Sequence, residues 1–249
     1  MYGIRGGIPN QRMEQINAGL PRSFELQKLH PYLETENPFV ILGCEQTKAR
    51  AQVRLSQGWH LLNEGRTALV EADACKVFYE ECEPNPVEAI YWRRFYLDDA
   101  SLRLCSSGEH LLQCVNFYWK LGVPPKRISL QKVVTAAEKS NVPDVNAVAA
   151  RTLRSLTTEW DDCKKYRNDW VHNERPGIAG LAWEISFSDK QSVPRQMAQV
   201  LKQSGYPSTA TVRSIGFGTG RQIGELDRVV RTVFCQLFRA YEGVAPLVA

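Results

Sequence analysis

Two side chains in the second half of the sequence have types suited to chemistry on a phosphate. Arg167 and His172 are five residues apart, and Asn168 follows the arginine directly. A guanidinium stays charged in proteins and presents a fixed fork of donors to phosphate oxygens. An imidazole, with a pKa of about 6.5, can accept or donate a proton near neutral pH. The pair therefore combines anion binding with acid–base capacity.

The spacing predicts how these side chains share a helix. Five helical steps turn the chain through about 140°, so Arg167 and His172 flank a groove instead of stacking. Asn168 lies four residues before His172 on the same face, where its amide can hydrogen-bond the imidazole or a nearby backbone group. A helix that ends soon after His172 favours the protonated ring, because free carbonyl groups lie there.

A mostly apolar stripe carries Arg167. Its members recur at steps of three and four: Val145, Ala149, Thr152, Leu156, Trp160, Cys163 and Arg167. The stripe predicts one helix that starts at Pro143 and Asp144 and is closed by Pro176 and Gly177. Because an unpaired buried guanidinium is costly, Arg167 must have an acidic partner, face a wet cleft or lie at an interface.

Other helical patterns surround this one. Residues 47–81 are mostly helical with an expected break at Gly65, and residues 87–121 follow a proline stop. Residues 128–140 predict a shorter helix, and residues 220–241 predict the last one. Long helices dominate, so the fold class is all-α, an antiparallel helical bundle over residues 47–249.

Two stretches lack a helical pattern. Residues 1–46 are rich in Gly, Pro and Asn and predict an irregular N-terminal segment, with one short strand at residues 39–42. Residues 178–219 are weakly patterned and predict a long insertion before the last helix.

Composition sets the class of protein. Of 249 residues, 43% are hydrophobic and 23% charged, which is enough for a sizeable core and not typical of disorder. The net charge of +4 is compatible with a polyanionic partner but does not require one. The sequence has no signal-type leader and no run of about 18 apolar residues, so neither secretion nor a membrane span is expected.

The cysteines argue for reduced thiols in a cytoplasmic protein. There are seven of them, and none forms a C-x-x-C pair of the kind found in zinc sites. Several are expected to be small core residues. His60 and Glu64 have a spacing that can chelate a metal, but no third ligand is evident. We therefore expect no metal and no other cofactor.

One segment near the end of a bundle helix resembles the R-x4-H motif of HEPN proteins, including an Asn after the Arg: Arg167-Asn168-Asp169-Trp170-Val171-His172. Residues 96–109 resemble the long helix that precedes the motif helix in this superfamily and often carries an acidic partner. The resemblance covers residues 87–243. It makes Glu109 the expected orienting carboxylate and Asp98 a second candidate for that role.

The resemblance implies a function. Many HEPN proteins are metal-independent ribonucleases of toxin, defence or RNA-processing systems, in which two motifs meet across a two-fold dimer interface. The chain would then be an endoribonuclease acting as a homodimer, with Arg167, His172 and Asn168 as its catalytic set. RNA would be the substrate, and an antitoxin protein is a candidate partner.

Side chains near the motif suggest how RNA would be held. Lys164 and Lys165 could contact the RNA backbone, and Trp170 could stack on a base. A solvated polar face explains the lysines equally well, and Trp170 is also compatible with packing.

Two other functions remain open on these residues. One is a catalytically inactive HEPN-like protein that binds RNA, a nucleotide or a partner. The other is a helical scaffold in which Arg167 only pairs with Glu109 or Asp98, while His172 satisfies the helix C-terminus.

Overall fold

The structure is a computed structural model that describes residues 2–21, 46–140, 142, 144–146, 153–156, 158–172, 183–186, 211–214 and 221–248. Only the backbone is given for residues 2, 3, 46, 86, 87, 158, 169–172, 183–186, 211–214, 221 and 222. The chain divides into two compact units. One unit comprises Met1–Glu174 and Asp227–Ala249, and the other comprises Arg175–Leu226.

The α-helices are α1 (Tyr2–Gly7), α2 (Asn10–Ala18), α3 (Gln46–Val77), α4 (Pro86–Tyr118), α5 (Leu130–Glu138), α6 (Thr158–His172) and α7 (Arg221–Val248). Residues 144–146 are also helical. A π-helical turn continues α3 over Phe78–Cys82, and two 3-10 turns lie at Pro125–Arg127 and Leu153–Ser155. The all-α fold expected from the sequence is confirmed. No helix in the described part of the chain is long and apolar enough to cross a membrane.

Helix α4 begins where its sequence signals a start. The Asn85 side chain accepts a hydrogen bond from the Glu88 backbone N–H at 3.2 Å, and Pro86 occupies the first helical position. Helices α3 and α4 then pack along most of their length. The expected break at Gly65 is wrong, because α3 continues through it and a Cβ there would lie 2.8 Å from Leu104 Cδ2. The glycine permits close helix packing and does not end the helix.

A buried polar contact joins α3, α4 and α7. Tyr241 donates its hydroxyl hydrogen to the Ser107 carbonyl at 2.9 Å, and the Ser107 hydroxyl donates to the Gly58 carbonyl at 2.7 Å. A Cβ on Gly58 would lie 2.0 Å from the Tyr241 hydroxyl oxygen. These bonds satisfy polar groups inside an apolar core, where an unpaired one would be destabilising. The inward face of α7 consists of buried apolar residues, among them Val230, Val233, Phe234 and Leu237.

The helix that carries Arg167 is shorter than its stripe predicted. A 3-10 turn occupies Leu153–Ser155, and α6 begins only at Thr158. Leu156 is nevertheless buried, as the stripe predicted, and so is Leu153, which the stripe did not include. Residues three apart lie on one side of a 3-10 turn, much as they do on an α-helix. The spacing therefore predicted the burial of Leu156 correctly but did not predict where the α-helix begins. Acidic Glu159 in the first turn suits the start of α6.

The N-terminal segment is more ordered than its composition predicted. Residues 2–18 form α1 and α2 instead of an irregular stretch. Tertiary contacts hold them: Arg66 Nε on α3 donates to the Pro21 carbonyl at 2.6 Å, and a Cβ on Gly7 would lie 2.5 Å from the Phe78 ring. The N-terminal residues therefore share a unit with α3, and the chain does not divide after residue 46. The strand expected at residues 39–42 lies outside the described residues.

The second unit, Arg175–Leu226, includes residues 178–219, which the sequence predicts to be an insertion. Its described residues include an antiparallel pair, β1 (Trp183–Ser186) and β2 (Thr211–Ser214), with Trp183 opposite Ser214. Among the described residues, these two short strands pair over four residues each.

Helix α6 is seated on α4 through an aromatic side chain and a glycine. The Trp160 side chain is buried, and a Cβ on Gly108 would lie 2.0 Å from Trp160 Cη2. The indole therefore occupies the space that any other residue at position 108 would fill. This contact sets the distance between the two helices.

We expect Gly108→Ala to lower the free energy of unfolding by about 1–3 kcal/mol, because the added methyl overpacks the Trp160 contact. Urea unfolding followed by circular dichroism measures the change. Gly224→Ala is the matched control, because a Cβ at this position in α7 would meet no atom of the described residues within 4 Å. It should raise stability by up to about 1 kcal/mol through helix propensity. Equal effects of the two variants would contradict the packing argument.

Candidate functional site

Helices α4 and α6 run antiparallel along a shared seam. Trp160 lies over Gly108, Cys163 lies beside Ser101, and Tyr166 reaches Asp98. At successive contacts along the seam, residue numbers increase on α6 while they decrease on α4. This direction places the end of α6 beside the first half of α4.

Arg167 is bound by Glu109 across this seam. Its Nη2 lies 2.5 Å from Glu109 Oε1, and the two side chains are 17% and 36% exposed. Helical side chains lean toward the N-terminus of their own helix. On antiparallel helices Arg167 and Glu109 therefore lean toward each other, although their backbones lie at different levels of the seam. Of the two expected carboxylates, the structure brings Glu109 to the arginine.

Lys164 shares the same carboxylate. Its Nζ lies 3.8 Å from Glu109 Oε1, one helical turn before Arg167. Two cations facing one carboxylate leave a net positive charge at this place. Lys165 is exposed, and one helical step turns it about 100° away from Lys164. The two lysines expected to hold RNA thus lie on different faces of α6.

One donor of the Arg167 guanidinium lacks a partner among the described residues, because its Nε is buried and unpaired. A guanidinium carries five N–H donors. Glu109 contacts Nη2 and thereby orients the group. Asn168, the next residue, is partly buried.

Asp98 contacts α6 through a tyrosine instead of the arginine. The Tyr166 hydroxyl donates to Asp98 Oδ1 at 2.5 Å, and Arg94 Nε lies 3.8 Å from Asp98 Oδ2. Asp98 and Arg94 are both buried. The role beside Arg167 that was expected of Asp98 is therefore taken by Glu109, while Asp98 anchors the helix that carries the motif.

Sequence reasoning did not identify Tyr166 as part of the site. The available signal was its place directly before Arg167 on a helix with a buried stripe, because a buried phenol usually finds a hydrogen-bond partner. Burial, reinforced by the hydrogen bond to Asp98, raises the pKa of Tyr166 above its ordinary value. The phenol is therefore a neutral donor at physiological pH.

His172 is the last residue of α6, in agreement with a helix end close to the histidine. The side chains of His172 and Trp170 lie outside the described part of the structure. Their roles are therefore expectations from the motif and the helix end. Among the described residues, no three His, Cys, Asp or Glu side chains are grouped as metal ligands would be.

Comparison with known proteins identifies a family. The family model described as Cthe2314-like HEPN matches residues 60–203, which is more than half of the chain. The match includes the described parts of α4 and α6 and both residues of the Arg167–Glu109 pair. No curated protein and no solved structure matches the chain significantly.

Replacing Tyr166 should test the anchor on Asp98. Tyr166→Phe removes a donor from a buried carboxylate, and we expect it to lower the free energy of unfolding by about 1–3 kcal/mol at pH 7. Tyr91→Phe is the control, since Tyr91 is on the same long helix but exposed. Urea titrations of both variants give the comparison, and losses of the same size would remove the argument for an anchor.

Comparing the native chain with Tyr166→Phe also tests how the stability contribution of Tyr166 depends on pH. The folded-state pKa of Tyr166 lies above the unfolded value of about 10, so its contribution is complete below that pH. It is lost as pH rises further, because the unfolded phenol ionises first. The stability difference between the native chain and Tyr166→Phe should therefore narrow above about pH 10. A gap that stays constant up to about pH 11 would contradict the raised pKa.

Proposed function

Because the chain belongs to the Cthe2314-like HEPN family, we propose that it is a metal-independent endoribonuclease whose site is completed by a second copy of the chain. HEPN proteins are associated with nuclease and other RNA-related functions and are often dimeric. One observation carries the proposal to these residues: Glu109 holds Arg167 at the edge of the α4–α6 seam, on the helix that ends at His172.

The proposed task of Arg167 is to hold the phosphate. A partly exposed ion pair contributes little stability, so its value lies in orienting the guanidinium. The free donors can then reach phosphate oxygens and stabilise the extra charge of the phosphorane. Lys164 adds a second cation at the same carboxylate, which favours an anionic ligand there.

The proposed task of His172 is proton transfer. A base takes the proton from the RNA 2′-hydroxyl, whose oxygen attacks the adjacent phosphorus. The bond from phosphorus to the 5′-oxygen breaks, and an acid gives a proton to that leaving oxygen. The products are a 2′,3′-cyclic phosphate and a 5′-hydroxyl. A histidine fits either step because its pKa lies near neutrality, and Asn168 would help to set its tautomer.

Two proton-transfer steps explain why a second copy is proposed. One chain supplies one motif histidine, whereas the reaction uses a base and an acid. A two-fold axis near the end of α6 would bring a second His172 and a second Arg167 to the same phosphate. Lys165 and Trp170 would contact RNA farther from the cleaved bond, through charge and stacking respectively.

A structural function for Arg167 is the rival that the geometry also favours. The contact with Glu109 is the one a purely structural arginine would make. A catalytically inactive HEPN-like protein that binds RNA, a nucleotide or a partner would carry the same pair. The three differ in outcome: an enzyme cuts RNA in EDTA, a binder shifts RNA without cutting it, and a scaffold does neither. Arg167→Lys should impair an enzyme, since lysine lacks the planar fork.

His172→Ala should lower RNA cleavage by at least about 100-fold, because the proton-transfer group is removed. Cleavage of a labelled single-stranded RNA in EDTA, with end-group analysis for cyclic phosphate, is the measurement. His60→Ala is the control, since His60 is exposed on α3 and outside the proposed site. Circular dichroism and size-exclusion chromatography check fold and assembly. Unchanged cleavage by a folded His172→Ala protein would reject the role of His172.

Lys164→Ala should reduce the salt dependence of RNA binding. A lost contact with a single-stranded backbone lowers the slope of log affinity against log salt by about 0.7. The slope is measured with a non-cleavable RNA analogue, whose 2′-deoxy sugars lack the attacking hydroxyl. Its binding affinity is determined at several salt concentrations. Lys139→Ala, at an exposed site beyond α5, should leave it unchanged. The same slope in all three proteins would place Lys164 outside the interface.

A further inference from the structure

Two buried thiols meet inside the α4–α6 seam. Cys105 Sγ on α4 lies 3.5 Å from Cys163 Sγ on α6, with both residues at most 1% exposed. We propose that Cys105 and Cys163 are a redox modification site, at which a hydroperoxide converts the thiol pair into a disulfide that ties α6 to α4.

The geometry places the sulfurs for this reaction. They are already in contact, and a disulfide requires a further approach to about 2.05 Å. Rotation about the side-chain bonds supplies such a movement without a change in which helices are neighbours. The sequence separation of 58 residues makes the link a tie between distant parts of the chain.

Packing alone would not require two sulfurs at this contact. A buried cysteine often serves as a small apolar residue, so packing is a sufficient reason for a single one. Here the two thiols face each other, and Cys163 has a further polar contact, because the Ser101 hydroxyl oxygen lies 3.3 Å from Cys163 Sγ. Each thiol is four residues before a member of the proposed site, since Cys105 precedes Glu109 and Cys163 precedes Arg167.

Cys163 is the better nucleophile of the pair. Its pKa is lowered by the hydrogen bond from Cys105 and by the contact with Ser101, against an opposing effect of burial. The pKa of Cys105 is raised by that same hydrogen bond and by burial. The neighbouring Arg167 charge also favours the Cys163 thiolate.

The reaction balances with a hydroperoxide as oxidant. The Cys163 thiolate attacks the peroxide, so an S–O bond forms, the O–O bond breaks and the leaving oxygen takes a proton. Cys105 sulfur then attacks this sulfenic acid. The S–S bond forms, the S–O bond breaks, and water leaves with the Cys105 proton. Two thiols lose two electrons and the peroxide gains them; a dithiol reductant reverses the change.

The disulfide would fix the helix that carries Arg167. It lies one turn from the Arg167–Glu109 contact and would prevent α6 from separating from α4. Its formation depends only on the seam, whereas an effect on RNA cleavage rests on the proposed function. The two consequences can therefore be measured independently.

The test uses the full chain treated with hydrogen peroxide, then denatured and alkylated. Mass spectrometry of a non-reduced digest should find peptides joined through Cys105 and Cys163. The Tm should rise by about 5 °C and return after dithiothreitol. Cys235→Ala, which removes a half-buried thiol on α7, should keep the link and the Tm shift. Cys163→Ala should lose both.

Other results would overturn the proposal. If Cys105 and Cys163 stay fully alkylated while Cys82 or Cys235 oxidise, the pair is only packing. A link without a rise in Tm would mean that it does not tie the helices. The native chain suffices for these readouts, so poor folding of Cys163→Ala would not weaken the test. RNA cleavage before and after oxidation is a separate arm, and absent cleavage in both states rejects only the proposed function.

Discussion

The close packing of α6 on α4 is the constraint on which the candidate site depends. Trp160 fits where Gly108 has no side chain, and this contact sets both the distance and the register of the two helices. Close-packed interiors tolerate little change in volume, so the register is well defined. The packing of Trp160 on Gly108 therefore determines the geometry of the polar contacts that Cys163, Tyr166 and Arg167 make with α4.

The seam combines apolar packing at Trp160, buried polar contacts around Asp98 and a partly exposed ion pair at its edge. Asp98, Tyr166 and Arg94 lie in its interior, where they must satisfy one another. Glu109 and Arg167 lie where solvent begins to reach. Polar groups in the interior favour one arrangement of the helices, while groups at the edge remain able to exchange partners. A site for an anionic ligand needs both properties.

The positions of the charged groups at the edge of the seam matter more than the net charge of the chain. The chain as a whole carries only +4, so its overall field attracts a polyanion only weakly. The local arrangement is more specific, because Lys164 and Arg167 face one carboxylate and leave an excess of positive charge. The chain belongs to a HEPN family, and HEPN domains are associated with nuclease and other RNA-related functions. This association is the reason to consider the excess positive charge in relation to function.

The sequence by itself determined the all-α class, the long helix α4, the helix end near His172 and the residue types of the motif, because these follow from local periodicity and side-chain chemistry. Only the tertiary structure decided which carboxylate meets Arg167, since Glu109 and Asp98 are both on α4 and the helix register chooses between them. It also decided that most of residues 2–18 are helical and that Gly65 lies within α3. Those outcomes arise from contacts between distant segments, which local patterns do not encode.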